Sequence, residues 1–168
     1  MDLKDNSILF REVVKSYSGK TVLNHLSFEV KKNASVALIG NNGCGKTTTI
    51  NVLCNLTTYE KGEVIIQGNK VTESYTSYKQ NLGIVLSSPY YIEEFNITEY
   101  LSFVANFQSL KKKVAKEQIS NLVKLFGLGN EQEKPIKSLS SGTRMKVSLA
   151  SALVHNPPIL IKIGRAHV

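Results

Sequence analysis

ASVALIGNNGCGKTTTINVL, residues 34–53, reads as three consecutive pieces. Residues 34–40 are a near-continuous apolar run ending at Gly40, the pattern of a strand buried on both faces. Residues 40–47 match glycine, four residues of any type, then glycine, lysine and threonine. The residues that follow place Ile50, Leu53 and Cys54 at helical spacing. Each fixed type in the middle piece has a physical reason. Gly40, Gly43 and Gly45, with Asn41, Asn42 and Cys44 between them, let backbone N–H groups converge on an anion without Cβ interference. A helix starting near Gly45 aims its positive end at the same point. Lys46 adds a point charge for outer phosphates, and the Thr47 hydroxyl can ligate Mg²⁺. A chance match in a chain of this length is roughly one in 200. The stretch is therefore a nucleotide-phosphate loop, and on its own it leaves GTPase, kinase and ATPase chemistry open.

The flanks alternate in character. Residues 8–17 and 21–33 are strand-like, with Ser18 and Gly19 as the turn between them. Residues 62–68 and 81–87 are further strands. Beyond Pro89 the apolar period changes from two to 3.6, predicting helices over 97–110 and 114–128. Gly127 and Gly129 suit the helix stop, and Pro135 sits in a linker. A third helix is expected over 139–154 and a buried strand over 157–163. No internal repeat or low-complexity tract interrupts this order, which is that of an α/β fold.

Composition narrows the classes. The 168 residues are 42% hydrophobic and 20% charged, which fits a soluble domain able to bury a core. No apolar run approaches the roughly 18 residues of a membrane-spanning helix, and the polar start does not read as a signal peptide. Cys44 and Cys54 make no disulfide framework, which suits a reducing cytosol, and the three histidines lie at no zinc-ligand spacing. Cys44 beside Lys46 at a helix start is either a reactive thiol or a small residue that fits the loop. The net charge is +8, but among 21 basic residues only Arg11, Arg144 and Arg165 are arginine. Bidentate base and phosphate contacts favour arginine, so no nucleic-acid partner is expected. Lys111–Lys113 reads as a solvated turn.

Three more features are arranged around the loop. Tyr17 lies upstream, where its ring could stack on a base or serve as an ordinary strand tyrosine. Leu139-Ser140-Ser141-Gly142-Thr143 precedes a helix, as a second anion-binding turn or a simple N-cap. HNPPILI, residues 155–161, follows as a helix end and a strand. With GNNGCGKTT (40–48, including Thr48), these residues resemble the ATP-binding cassette (ABC) family of ATPases over 8–161. Tyr17 is like the adenine-stacking residue, 40–48 like Walker A, and LSSGT like the family's LSGGQ signature with Ser141 and Thr143 as departures. HNPPILI is like the approach to Walker B.

The resemblance implies a P-loop NTPase (RecA-like) core, an antiparallel β N-terminal part and an α-helical subdomain, incomplete at the C-terminus. The expected division is a partial ABC ATPase domain over 1–168. Residues 1–89 and 156–161 would form the nucleotide-binding core, and 90–155 the helical subdomain with the signature helix. It also implies ATP and Mg²⁺ as cofactors and a head-to-tail dimer with a second ATPase subunit. Ser140, Ser141 and Gly142 would then face the partner's γ-phosphate. A transmembrane permease subunit would complete a transporter, with this chain cytoplasmic and peripheral at the inner face of the cell membrane. Two other readings stay open: a soluble ABC protein acting on ribosomes or DNA, and a truncated binder without hydrolysis.

Two departures stand out. Similar cassettes carry Gln at the end of the strand matching 81–87, for Mg²⁺ and the attacking water; here the position is Ser87, a shorter ligand. After Ile161 the family continues with Leu-Asp-Glu-Pro and later a switch histidine, whereas this chain reads Lys162 to Val168. The metal-binding Asp, the catalytic Glu and the switch His are thus missing, and the chain as given is expected not to hydrolyse ATP. Residues 163–168 (IGRAHV) match the translation of a widely used sequencing-library adapter, so 162–168 is expected to be a non-native tail.

Overall fold

Ser18 and Gly19, with φ of 49° and 80°, make the two-residue turn that joins β1 (Asn6–Tyr17) to β2 (Lys20–Lys31). Positive φ at both central positions gives a turn whose twist matches that of the flanking strands. Gln67 and Gly68, at 49° and 78°, repeat the device between β3 (Lys61–Ile66) and β4 (Asn69–Lys70). The four strands form one antiparallel sheet in the order β2-β1-β3-β4. The structure is a computed structural model that describes residues 6–72 and 79–164.

The register of β1 slips between Arg11 and Val14, where Glu12 has φ 47°. Gly62 lies against that bulge. A Cβ there would stand 2.3 Å from the Arg11 carbonyl oxygen, so only glycine lets the two backbones approach. Phe10 stacks on Phe28 at 4.6 Å, and Val13 of β1 and Val64 and Ile66 of β3 are fully buried. The helix α1 (Lys46–Leu53) buries Thr49, Val52 and Leu53. These elements belong to one compact unit, residues 1–81.

The second unit, residues 82–168, holds β5 (Leu82–Val85), α2 (Ile97–Phe107), α3 (Lys112–Leu125), α4 (Ser141–Leu153) and β6 (Ile159–Lys162). Asn96 caps α2 through a full capping box: its side chain accepts from Glu99 N–H, and its own N–H donates to the Glu99 carboxylate. Ile97 and Leu101 from α2, Ile119 and Leu122 from α3, and Val147 and Ala150 from α4 share one apolar cluster. β5 and β6 pair in parallel, Leu82 opposite Ile159 and Val85 opposite Lys162. Lys162, the first residue of the expected tail, is thus part of a ladder. Residues 165–168, including Arg165 and His167, lie outside the described residues.

The expected helices all form, within three residues of their predicted ends, and so do the strands at 8–17, 21–33 and 62–68. β5 is shorter than expected, ending at Val85. One expectation is overturned. Residues 34–40 form no strand, and Val36, Leu38 and Ile39 are exposed. A parallel strand is stable only with paired neighbours and covered faces. Among the described residues no strand pairs with 34–40, so its apolar pattern alone does not order it.

His155 follows α4, with Nε2 donating to the Leu82 carbonyl at 3.1 Å and Nδ1 buried without a partner. Burial holds its pKa below the ordinary 6.5, against a smaller opposing effect of the Leu82 hydrogen bond. The unfolded chain then binds the proton first as pH falls. Stability from this site is complete above the ordinary pKa and lost as pH falls from there through the folded value. Denaturation midpoints from about pH 5 to 7.5 should slope in the wild type and flatten in His155→Gln.

Candidate functional site

The loop before α1 is built around one ammonium. Lys46 Nζ donates to the carbonyl oxygens of Gly40 and Asn41, both at 2.7 Å, and lies 3.8 Å from Cys44 Sγ. A backbone turn, Cys44 N–H to Asn41 O at 3.3 Å, folds the intervening residues. Gly43 and Gly45 have φ of 82° and 96°, a region that side chains strain to adopt. At Gly40 a Cβ would stand 2.7 Å from Cys44 Sγ, and at Gly45 it would stand 2.9 Å from Leu23 Cδ2 and 3.1 Å from the Val22 carbonyl. Gly45 therefore seats the loop directly on β2.

Gly45 is also the N-cap of α1, and it offers no capping side chain; no acidic residue occupies the first turn either. The N–H groups of Lys46, Thr47 and Thr48 have no intrahelical acceptor by helix geometry. By contrast α2 and α4 are closed by their own side chains, Asn96 and Ser140. Three orphan donors, a helix dipole and the Lys46 charge converge at one exposed point. Asn41, Asn42, Gly43, Cys44 and Thr47 are exposed there, while Thr49 is buried with its hydroxyl on the Gly45 carbonyl at 3.0 Å. That arrangement can hold a phosphate chain.

Tyr17 ends β1 opposite Lys20, on the same hairpin whose Val22 and Leu23 touch Gly45. Its ring is exposed and carries the Lys15 ammonium 4.8 Å from its centroid. An exposed aromatic on this hairpin is compatible with base stacking. In the second unit, Ser140 caps α4: its Oγ accepts from Thr143 N–H at 3.1 Å and lies 2.9 Å from Thr143 Oγ1. Ser141 and Gly142 form the helix's exposed first turn. Leu139 is buried in the apolar cluster, which anchors that turn. Ser87 is exposed in the bend after β5. His25 is occupied with Glu12 at 2.9 Å and belongs to no site.

A family model described as ABC transporter matches residues 23–162. The chain belongs to the ABC transporter family. It is 32% identical over 154 residues to an uncharacterized ABC transporter ATP-binding protein, YhcH, of Bacillus subtilis, covering 90% of this chain and 48% of that protein. It is 30% identical over 159 residues to the spermidine/putrescine import ATP-binding protein PotA of Clostridium novyi, covering 95% and 46% respectively. The solved structure of an ATP-binding subunit of an ABC transporter superposes with a TM-score of 0.82 at 26% identity, over 92% of this chain and 65% of that one. The chain spans about half the length of the curated relatives it matches. Its fold is that of the ABC ATP-binding subunits. Among the described residues no helix is long and apolar enough to cross a membrane, and no group of three or more His, Cys, Asp or Glu could hold a metal.

Sequence reasoning missed the contacts that seat these motifs. The packing of Gly45 on Val22 and Leu23 joins residues more than twenty apart, and the hydrogen bonds around Arg144 reach back to Tyr91 and Glu93. Neither has a local pattern that could announce it.

Proposed function

We propose that this chain binds the phosphates of MgATP at 40–48 as the nucleotide-binding part of an ABC transporter subunit. The observation that carries this is the uncapped start of α1 facing the same loop as the Lys46 ammonium. Gly40, Asn41, Asn42, Gly43, Cys44 and Gly45 offer backbone, Lys46 the charge, Thr47 and Thr48 the first-turn donors, and Tyr17 the stacking face. Mg²⁺ would be held mainly by the nucleotide's own oxygens with the exposed Thr47 hydroxyl, the usual protein share for this ion.

In the whole protein, Ser140, Ser141 and Gly142 would present the start of α4 to the γ-phosphate of a second ATPase subunit. Hydrolysis would then part the two subunits and drive a membrane permease, with the subunit cytoplasmic and peripheral at the inner membrane face. The family membership and the relatives' names support this reading.

Cys44 provides the test. Its thiol is exposed, whereas Cys54 is 5% exposed and serves as an internal reference. Maleimide should label Cys44 first. With ATP at ten times its Kd, the unliganded fraction falls about elevenfold, and labelling of Cys44 should slow by about the same factor while Cys54 is unchanged. Equal labelling with and without MgATP would remove the proposal.

A further inference from the structure

Helices α2 and α3 are joined by the short link 108–111 and run antiparallel, leaving a furrow between them. Its volume is about 590 Å³, within the range of small-molecule sites. Thr98, Ser102 and Asn106 wall it from α2 at four-residue spacing, which is one face of that helix. Ala115, Ile119 and Val123 of α3, all buried, supply its apolar side, while Lys112 and Lys116 stand exposed at its rim. Ser102 Oγ donates to the Thr98 carbonyl at 2.7 Å, so the hydroxyl has only acceptor capacity left for a ligand.

The two ends of the furrow differ in charge. The link 108–111 brings the end of α2 to the start of α3, so Asn106, Lys112 and Lys116 share one end. At the other end the Gln132 carbonyl accepts from the Ile97 N–H at 3.1 Å, which places Gln132 and Glu133 beside Thr98. Seven residues of α3 separate Lys116 from Val123, about 10 Å of helix. The furrow is thus cationic at one end, acidic at the other and apolar between.

Neither charge is neutralised within the chain. Lys112, Lys116 and Glu133 take part in no ion pair among the described residues. Lys111, the N-cap of α3, makes no side-chain cap, and no carboxylate occupies the first turn, where Lys112 and Lys113 stand. Cations at the positive end of a helix oppose its dipole. An anion lying between Lys112 and Lys116 relieves both the repulsion and that conflict.

We propose that this furrow binds a small linear zwitterion. Lys112 and Lys116 hold its acid group, Glu133 holds its amine, and its methylene groups lie along Ala115, Ile119 and Val123. The opposite charges at the two ends fix the direction in which the ligand lies. The site lies wholly in the second unit, shares no residue with 40–48 and does not depend on the nucleotide reading.

The test uses the full-length subunit and 8-aminooctanoate, whose two charges in the extended form stand about as far apart as Lys116 and Val123. Methyl NMR follows Ile119 and Val123, with Val64 of β3 as the reference. The Ile119 and Val123 signals should move saturably, with a Kd on the order of millimolar, while Val64 stays still. Octanoate, which lacks the amine, should bind about two- to fivefold more weakly, and octylamine, which lacks the acid, more weakly still. Lys116→Glu should weaken 8-aminooctanoate about three- to tenfold, and Lys116→Gln by a smaller factor. Glu133→Gln should abolish the preference for 8-aminooctanoate over octanoate.

All three positions are exposed, so thermal midpoints should stay at the wild-type value, which separates a lost site from a lost fold. Ile119 and Val123 signals that do not move saturably with 8-aminooctanoate would overturn the proposal. So would an unchanged Kd in Lys116→Glu, or octylamine binding as well as 8-aminooctanoate, since either result removes the acid group from the lysine end.

Discussion

Lys46→Ala should lower the affinity for MgATP by roughly 10- to 100-fold, the loss of charge-assisted hydrogen bonds to phosphate. The ammonium sits between the Gly40 and Asn41 carbonyls, at the mouth of the loop and beside the orphan N–H groups of α1. It is thus placed where an anion meets the helix start. Lys46→Arg keeps the charge but is not conservative here, because a planar guanidinium cannot replace a compact ammonium between two carbonyls 2.7 Å away. It should also bind weakly. Calorimetric titration reads both variants directly, and an Ala variant with wild-type affinity would place the phosphate elsewhere.

Gly83→Ala should be the most destabilising small substitution in the second unit. A Cβ at Gly83 would stand 2.3 Å from the Ala152 carbonyl oxygen and 2.9 Å from Pro157 Cγ. The first of these is helix backbone in α4 and cannot rotate away. β5 would have to leave α4 or distort its pairing with β6, at a cost of about 3 kcal/mol. Gly129→Ala is the control, since open space surrounds that position and its φ is unstrained; it should be neutral or slightly stabilising. Chemical denaturation of the two variants checks the contrast. A Gly83→Ala protein as stable as Gly129→Ala would mean that β5 and α4 are not packed so closely.

The residues differ in how far their reading could go without a structure. The three helices of the second unit were legible because amphipathic periodicity is a local property, and the Ser18–Gly19 turn because a glycine between two strand-like runs marks one. The pattern at 40–47 is legible for the same reason: its glycines, lysine and threonine are adjacent in sequence. The family itself could be read from Tyr17, the loop and LSSGT in order. The expected strand at 34–40 failed because an apolar run states only that a segment would gain from burial. Whether it is a strand depends on neighbours that pair with it, and none of the described strands does.

By itself, then, the sequence determined the family and most of the elements, which depend on residues near one another in the chain. Tertiary structure alone decided why Gly83 must lack a side chain, why Gly45 must lie on β2, and what Arg144 joins. Each of those depends on distance in space between residues far apart in sequence. Steric exclusion and hydrogen bonding act over a few ångströms, and no pattern along the chain encodes which distant atoms come that close.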